Sequence, residues 1–231
     1  MKSLRLLAAV PLLVATLAAH AQLVPLDTNL IVNGDAEAGT LGWNAFIDTP
    51  AFQAQTYAAP LFLYPDAPHG SQLFAGAASG LSAGWQWVDV SGHAAAIDNS
   101  RIGFQLAAYL GGVGDQEDNS LLYVSFLDAA SNEIAHTELG PVYLDLRANL
   151  TVLGGFRTDG ELPVGTRGIQ FSLSMEAPDG NSSGAYADNM QFRLTSAVPE
   201  PQAWVLMALG LVALGATAGR RIRHHTRHHT R

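Results

Sequence analysis

The sequence predicts an all-β protein: an antiparallel β-sandwich of the jelly-roll type, set between two apolar terminal segments. Three observations lead there. Apolar and polar residues alternate in four stretches of the middle region. Gly, Pro, Asp and Asn cluster between those stretches. No long amphipathic helix is written outside the termini.

The N-terminus comes first. Lys2 and Arg5 precede an apolar run from Leu6 to Leu17, and Ala19-His20-Ala21 is a small-x-small cleavage site. That is the layout of a secretory signal peptide over residues 1–21. Export through the Sec translocon is expected, with a mature chain beginning at Gln22.

Residues 22–197 are long enough for one domain with a sizeable core. Ile102, Phe104, Leu106, Ala108 and Leu110 occupy every second position of one predicted strand. Leu122, Val124 and Phe126 do so in another, and Ile169, Phe171, Leu173 and Met175 in a third. Met190, Phe192 and Leu194 mark the fourth. A period of two with a polar opposite face is the pattern of a strand buried on one side. The turn-forming stretches are 65–70, 111–119 and 177–184. Many short strands joined by such turns indicate a sandwich.

The third region, residues 198–231, opens with Val198-Pro199-Glu200-Pro201. Ala203 to Gly219 then carries no charge. At about 1.5 Å per residue a helix there reaches roughly 25 Å, near the lower limit for a membrane span. Arg220, Arg221 and Arg223 follow directly. Cationic residues just past a span stay on the cytoplasmic side, so the domain is expected outside, tethered transiently to the inner membrane. Residues 220–231 would be a basic cytoplasmic tail.

The chain has 12 Lys and Arg against 20 Asp and Glu. Seven of the basic residues lie in the two terminal segments. Over residues 22–200 the remaining five arginines face all twenty acids, so the exported part is near −15. Such a surface repels phosphate backbones and excludes nucleic acid as a partner class. The absence of cysteine excludes disulfides, thiolate metal sites and a cysteine nucleophile.

The Pro-Glu-Pro motif, the short span and the terminal arginines, in that order, resemble the PEP-CTERM sorting signal of Gram-negative bacteria. The resemblance implies recognition by an exosortase, a membrane-embedded enzyme that would cut near the motif. The domain would then pass to the cell surface or extracellular matrix. Bacteria with such signals typically make exopolysaccharide and biofilm.

Asn29-Leu30-Ile31-Val32-Asn33-Gly34-Asp35-Ala36-Glu37, followed by Gly42-Trp43, resembles the opening signature of carbohydrate-binding jelly rolls of the galactose-binding-like type. There an N-G-D-F-E strand precedes a G-W pair; Ala36 stands where Phe is usual. Tyr186-Ala187-Asp188-Asn189 resembles their closing element. The resemblance implies a structural Ca²⁺ where first and last strands meet. Glu37 and Asp188 would be its carboxylate ligands, with Asp35 and Asn33 as further candidates. Calcium takes six to eight oxygens. Turn capping by the same residues is the competing expectation.

Two stretches offer chemistry for a glycan ligand. Asp115-Gln116-Glu117-Asp118-Asn119 puts three carboxylates in a loop that is solvated, holds a second calcium ion, or hydrogen-bonds sugar hydroxyls through Asp115, Glu117 and Asp118. In Trp85-Gln86-Trp87-Val88-Asp89-Val90 the two indoles share one face of a strand. Facing out, they would form a stacking platform for polysaccharide; facing in, they would be core. Trp43 is expected in the core.

Catalysis has no motif. Gly-x-Ser-x-Gly and His-Glu-x-x-His are both absent, and His69, His93 and His136 fall singly in or near loops. The sequence therefore points to a non-enzymatic, exported protein that binds polysaccharide or supports a matrix. A matrix protein without specific binding, and a glycoside hydrolase or lyase, are the alternatives.

Overall fold

A computed structural model describes residues 23–58, 60–180 and 184–196. The predicted signal peptide, Val198-Pro199-Glu200-Pro201, the apolar run and Arg220, Arg221 and Arg223 lie outside the described residues. Among the described residues no helix is long and apolar enough to cross a membrane.

The early strands in chain order are β1 (Asn44–Ala45), β2 (Gln53–Thr56), β3 (Phe62–Tyr64), β4 (Gln72–Ala75) and β5 (Leu81–Asp89). A helical turn, α1 (Ala94–Ile97), leads to β6 (Ile102–Gly112), β7 (Asn119–Leu127) and β8 (Glu133–Leu139). The last strands are β9 (Val152–Glu161), β10 (Gly168–Glu176) and β11 (Ala185–Ser196). They form two sheets, ordered β1-β5-β10-β7-β8 and β2-β4-β11-β6-β9-β3. Every pairing is antiparallel except β3 with β9, a parallel edge that period-two patterning does not reveal.

The four predicted strands are β6, β7, β10 and β11, and every apolar residue of their alternating sets is buried. The inner faces meet in an aromatic centre. Phe192 of β11 stacks on Phe104 of β6 at 5.4 Å and tilts against Phe171 of β10 at 5.1 Å. Trp43 packs edge-on against Phe52 and Phe74, at 5.3 and 5.8 Å. Filling the gap between two sheets in this way supplies most of the driving force for the sandwich.

The strand implied for residues 29–37 is not present; the segment is a run of turns. Asn33 and Ala36 take positive φ, 50° and 58°, which breaks strand geometry. This segment still runs beside β11. The N–H groups of Asp27 and Leu30 donate to the carbonyls of Leu194 and Phe192, both at 2.8 Å, and Met190 N–H donates to Gly34. Asn29 adds a side-chain clasp: its Oδ1 accepts from Phe192 N–H and its amide donates to the Met190 carbonyl.

The strand ends define two poles. Asp89, Glu161 and Ser196 end their strands where Ile102 and Gly168 begin theirs, as the pairs Asp89–Gly168, Gly103–Glu161 and Ile102–Ser196 require. The first described residues reach the same pole, because His93 bonds the Val24 carbonyl at 2.6 Å. Loop 113–118 lies at the other pole.

Candidate functional site

The outer face of the first sheet carries the two indoles. Trp85 is half-buried and Trp87 is 50% exposed. The reason lies on the other side of β5. Gln86 is buried and binds the main chain of Val32 twice: its Oε1 accepts from Val32 N–H at 2.9 Å and its amide donates to the Val32 carbonyl at 2.7 Å. Val90 is also buried. With Gln86 committed inward, period-two geometry turns both tryptophans outward.

The neighbours on that face follow from register. Trp85 lies opposite Ser172, which lies opposite Tyr123; Trp87 lies opposite Gln170, which lies opposite Ser125. Tyr123 stacks on His136 of β8 at 4.9 Å and donates its hydroxyl to Glu133 at 2.9 Å. The indoles and the Tyr123–His136 stack therefore rim a polar strip of β10. Two strand spacings separate them, roughly 10 Å. Gly168 is part of the design: a Cβ there would lie 2.6 Å from Trp87 Nε1, so the indole sits across the bare glycine. Flat aromatic rims around amide and hydroxyl groups can stack on apolar sugar faces while hydrogen-bonding their hydroxyls.

The acidic loop does not join this face. Asp115 and Glu117 are exposed at the opposite pole, near Leu81. Six residues along β5, about 20 Å, separate that end from Trp87. Asp118 departs from the expectation of an exposed carboxylate. It is 3% exposed, and its carboxylate accepts the Gly184 N–H. Burial pushes its pKa up, partly countered by that hydrogen bond. Beneath it lies Arg147, a residue the sequence did not single out. Its guanidinium donates to the carbonyls of Gly114, Gln116, Asp118 and Leu150 and is buried.

The residues implied for calcium divide. Asn33 is spent on its own turn: its Oδ1 accepts from Ala38 N–H, and its amide donates to the Gly39 and Leu41 carbonyls. Asp35 lies exposed beside them. Glu37 Oε1 accepts from Gln72 N–H at 2.7 Å and Oε2 from the Ser71 hydroxyl at 3.0 Å. The Gln72 bond leads in holding its pKa below the usual carboxylate range. Asp188 is fully buried beside a β-bulge in β11. Its oxygens accept from the Tyr57 hydroxyl and Asn189 N–H. Burial pushes its pKa up to about 6 against the pull of those bonds. Tyr57 stacks on His69 at 4.1 Å, a grouping invisible in sequence.

Each carboxylate oxygen keeps a second lone pair, so Glu37 and Asp188 can still serve a cation. Among the described residues no three His, Asp or Glu side chains converge as a metal-holding group. A calcium ion here would take most of its oxygens from main-chain carbonyls and water. The two carboxyls have their pKa values driven apart, as in acid–base catalysis. Asp188, however, has no exposed surface to offer a substrate.

Comparison with known proteins adds the following. No curated protein matches the chain. Among solved structures, the enzymatically active domain of bacteriophage CBA120 tailspike protein 4 is similar at 14% identity and TM-score 0.49. That match covers 72% of this chain but only 21% of the tailspike chain. A family 16 carbohydrate-binding module-2 is similar at 20% identity and TM-score 0.48, over 71% of this chain and 99% of that one. TmCBM61, solved with β-1,4-galactotriose, gives 17% and 0.43, over 73% and 98%. Residues 197–223 match the family description "PEP-CTERM protein-sorting motif", so the segment that follows β11 is a PEP-CTERM sorting signal.

Proposed function

We propose that this is an exported, non-enzymatic surface or matrix protein whose sandwich binds polysaccharide through the outer face of β5, β10 and β7. The sorting signal at 197–223 supports passage through the Sec translocon, transient anchoring in the inner membrane and processing by an exosortase. The single observation behind the ligand is Trp87, a half-exposed indole seated over Gly168 beside Gln170 and Trp85. A large apolar ring held in water on a polar sheet face is a stacking surface waiting for a partner. A structural calcium at Glu37 and Asp188 belongs to the same reading.

A glycan array on residues 22–197 tests the ligand, with Trp87→Ala as the paired variant. Binding is expected for the intact domain and a loss of tenfold or more for the variant, with an unchanged melting temperature. An intact domain that binds no glycan, extracellular matrix polymer included, rules the ligand out.

A further inference from the structure

We infer that the pole from which β11 emerges is a docking surface for the membrane-embedded enzyme that processes the sorting signal. This rests on the sorting reading above and adds to it a surface on the folded domain. β11 is flanked on both sides: by β6 on one, and on the other by β4 at Tyr186 and Ala187 and then, towards Ser196, by the main chain of Leu30 and Asp27. It pairs with β6 as far as Ser196, opposite Ile102. Peeling that end back would expose Phe192 and Leu194, both fully buried. The strand therefore stays folded to Ser196.

Pro199 is three residues further on. Three residues span at most about 11 Å, and the seven to Ala203 at most about 25 Å. An enzyme acting at the Pro-Glu-Pro motif thus works against folded protein, within reach of whatever surrounds Ser196. On one side is Asp27, whose N–H bonds the Leu194 carbonyl. On the other is β6, then Glu161 at the end of β9, paired with Gly103. Asp27 and Glu161 are exposed and have no ion-pair partner among the described residues. Loop 113–118 lies the length of β6 away, roughly 33 Å, beyond the reach of the same enzyme's contact.

The chain contains no cysteine, so single cysteines report cleanly. Glu161→Cys, Asp27→Cys and, at the far pole, Glu117→Cys are placed in the full chain. Each is expressed in cells carrying the processing enzyme and labelled from the periplasm with a polyethylene-glycol maleimide. Adducts at 161 and 27 are expected to slow processing at least tenfold; the adduct at 117 should leave it unchanged. A photocrosslinking side chain at 161 should trap the enzyme and one at 117 should not. Equal rates for all three adducts, with unlabelled chain still processed, overturn the docking surface alone. An unlabelled chain that is never processed sinks the sorting reading and this surface with it.

Discussion

The Tyr57 hydroxyl donates a hydrogen bond to Asp188, a fully buried carboxylate. The two are 131 residues apart in sequence. Tyr57 follows β2 at one edge of the second sheet, and Asp188 lies at the bulge of the central β11. The bond therefore ties the covering segment after β2 to the middle of the sheet. Burial and the carboxylate acceptor both push the tyrosine pKa up, so its proton stays in place.

The first prediction follows from the Asp188 carboxyl. Its pKa in the fold is about 6, against roughly 3.9 for an unfolded aspartate. The folded state holds the proton more tightly, so this group favours folding when protonated. The contribution is complete below about pH 4 and is lost as pH rises through 6. Two pKa units correspond to at most about 3 kcal/mol. Asp188→Asn should flatten the stability profile between pH 4 and 7 in urea melts with chelator present. At pH 7.5 it should be as stable as the unsubstituted domain or up to about 2 kcal/mol more so. A variant with the same slope as the parent removes Asp188 as its source.

The same carboxyl carries the test for calcium. An ion at Glu37 and Asp188 would favour the charged form of Asp188 and reverse its burial penalty. Melting of chelator-stripped protein at pH 7.5 should then shift upward by several degrees in 1 mM Ca²⁺. Glu37→Gln should abolish most of the shift. Identical melting curves with chelator and with Ca²⁺ would leave the junction to its hydrogen bonds: the Asn29 clasp, the Asp27–Leu194 and Leu30–Phe192 bonds, and Tyr57.

What was legible in the sequence follows a physical divide. β6, β7, β10 and β11 could be read because one face of each is wholly apolar and buried, which forces a period of two. β2 and β3 could not, because they are short edge strands with mostly exposed side chains. The direction of the indoles was undetermined in sequence. It depends on Gln86, a polar residue facing inward to bind Val32, where an apolar residue is the usual signal. Asp118 read as one of three equivalent loop acids; only the fold separates it from Asp115 and Glu117 by burying it over Arg147. Long-range partners such as Tyr57 and Asp188 leave no local pattern at all.

Gly168 offers a subtler test of the aromatic face than removing the indole. Its backbone accommodates the Trp87 ring, and an added methyl would stand 2.6 Å from Nε1. The ring is half-exposed, so the fold should tolerate the change within about 1 kcal/mol. The indole would nonetheless leave its place over β10. Gly168→Ala is expected to weaken binding to any glycan found on the array by about threefold to tenfold, less than Trp87→Ala. Tryptophan emission should shift to the red as the ring enters water. Unaltered emission and affinity in Gly168→Ala would show that this seat does not hold the indole.

Arg147 yields the largest expected loss of stability. It is one of five arginines in the exported part, it is 2% exposed, and it takes part in neither of the ion pairs among the described residues. Its four acceptors are main-chain carbonyls, three of them in the loop that joins β6 to β7. Burial depresses its pKa, with the nearby Asp118 and Glu117 charges opposing that effect. Arg147→Met keeps much of the packing volume and removes every donor, so the carbonyls are left buried without partners. Each such group costs about 1–3 kcal/mol, and partial relaxation of the loop recovers some of it. A net loss of about 3 kcal/mol or more is expected in chemical denaturation, with new protease cleavage between 113 and 118. Asp115→Ser in the same loop, exposed and free of these bonds, should stay within about 0.5 kcal/mol of the parent. Should the two variants unfold at the same denaturant concentration, the loop is held by something other than the guanidinium.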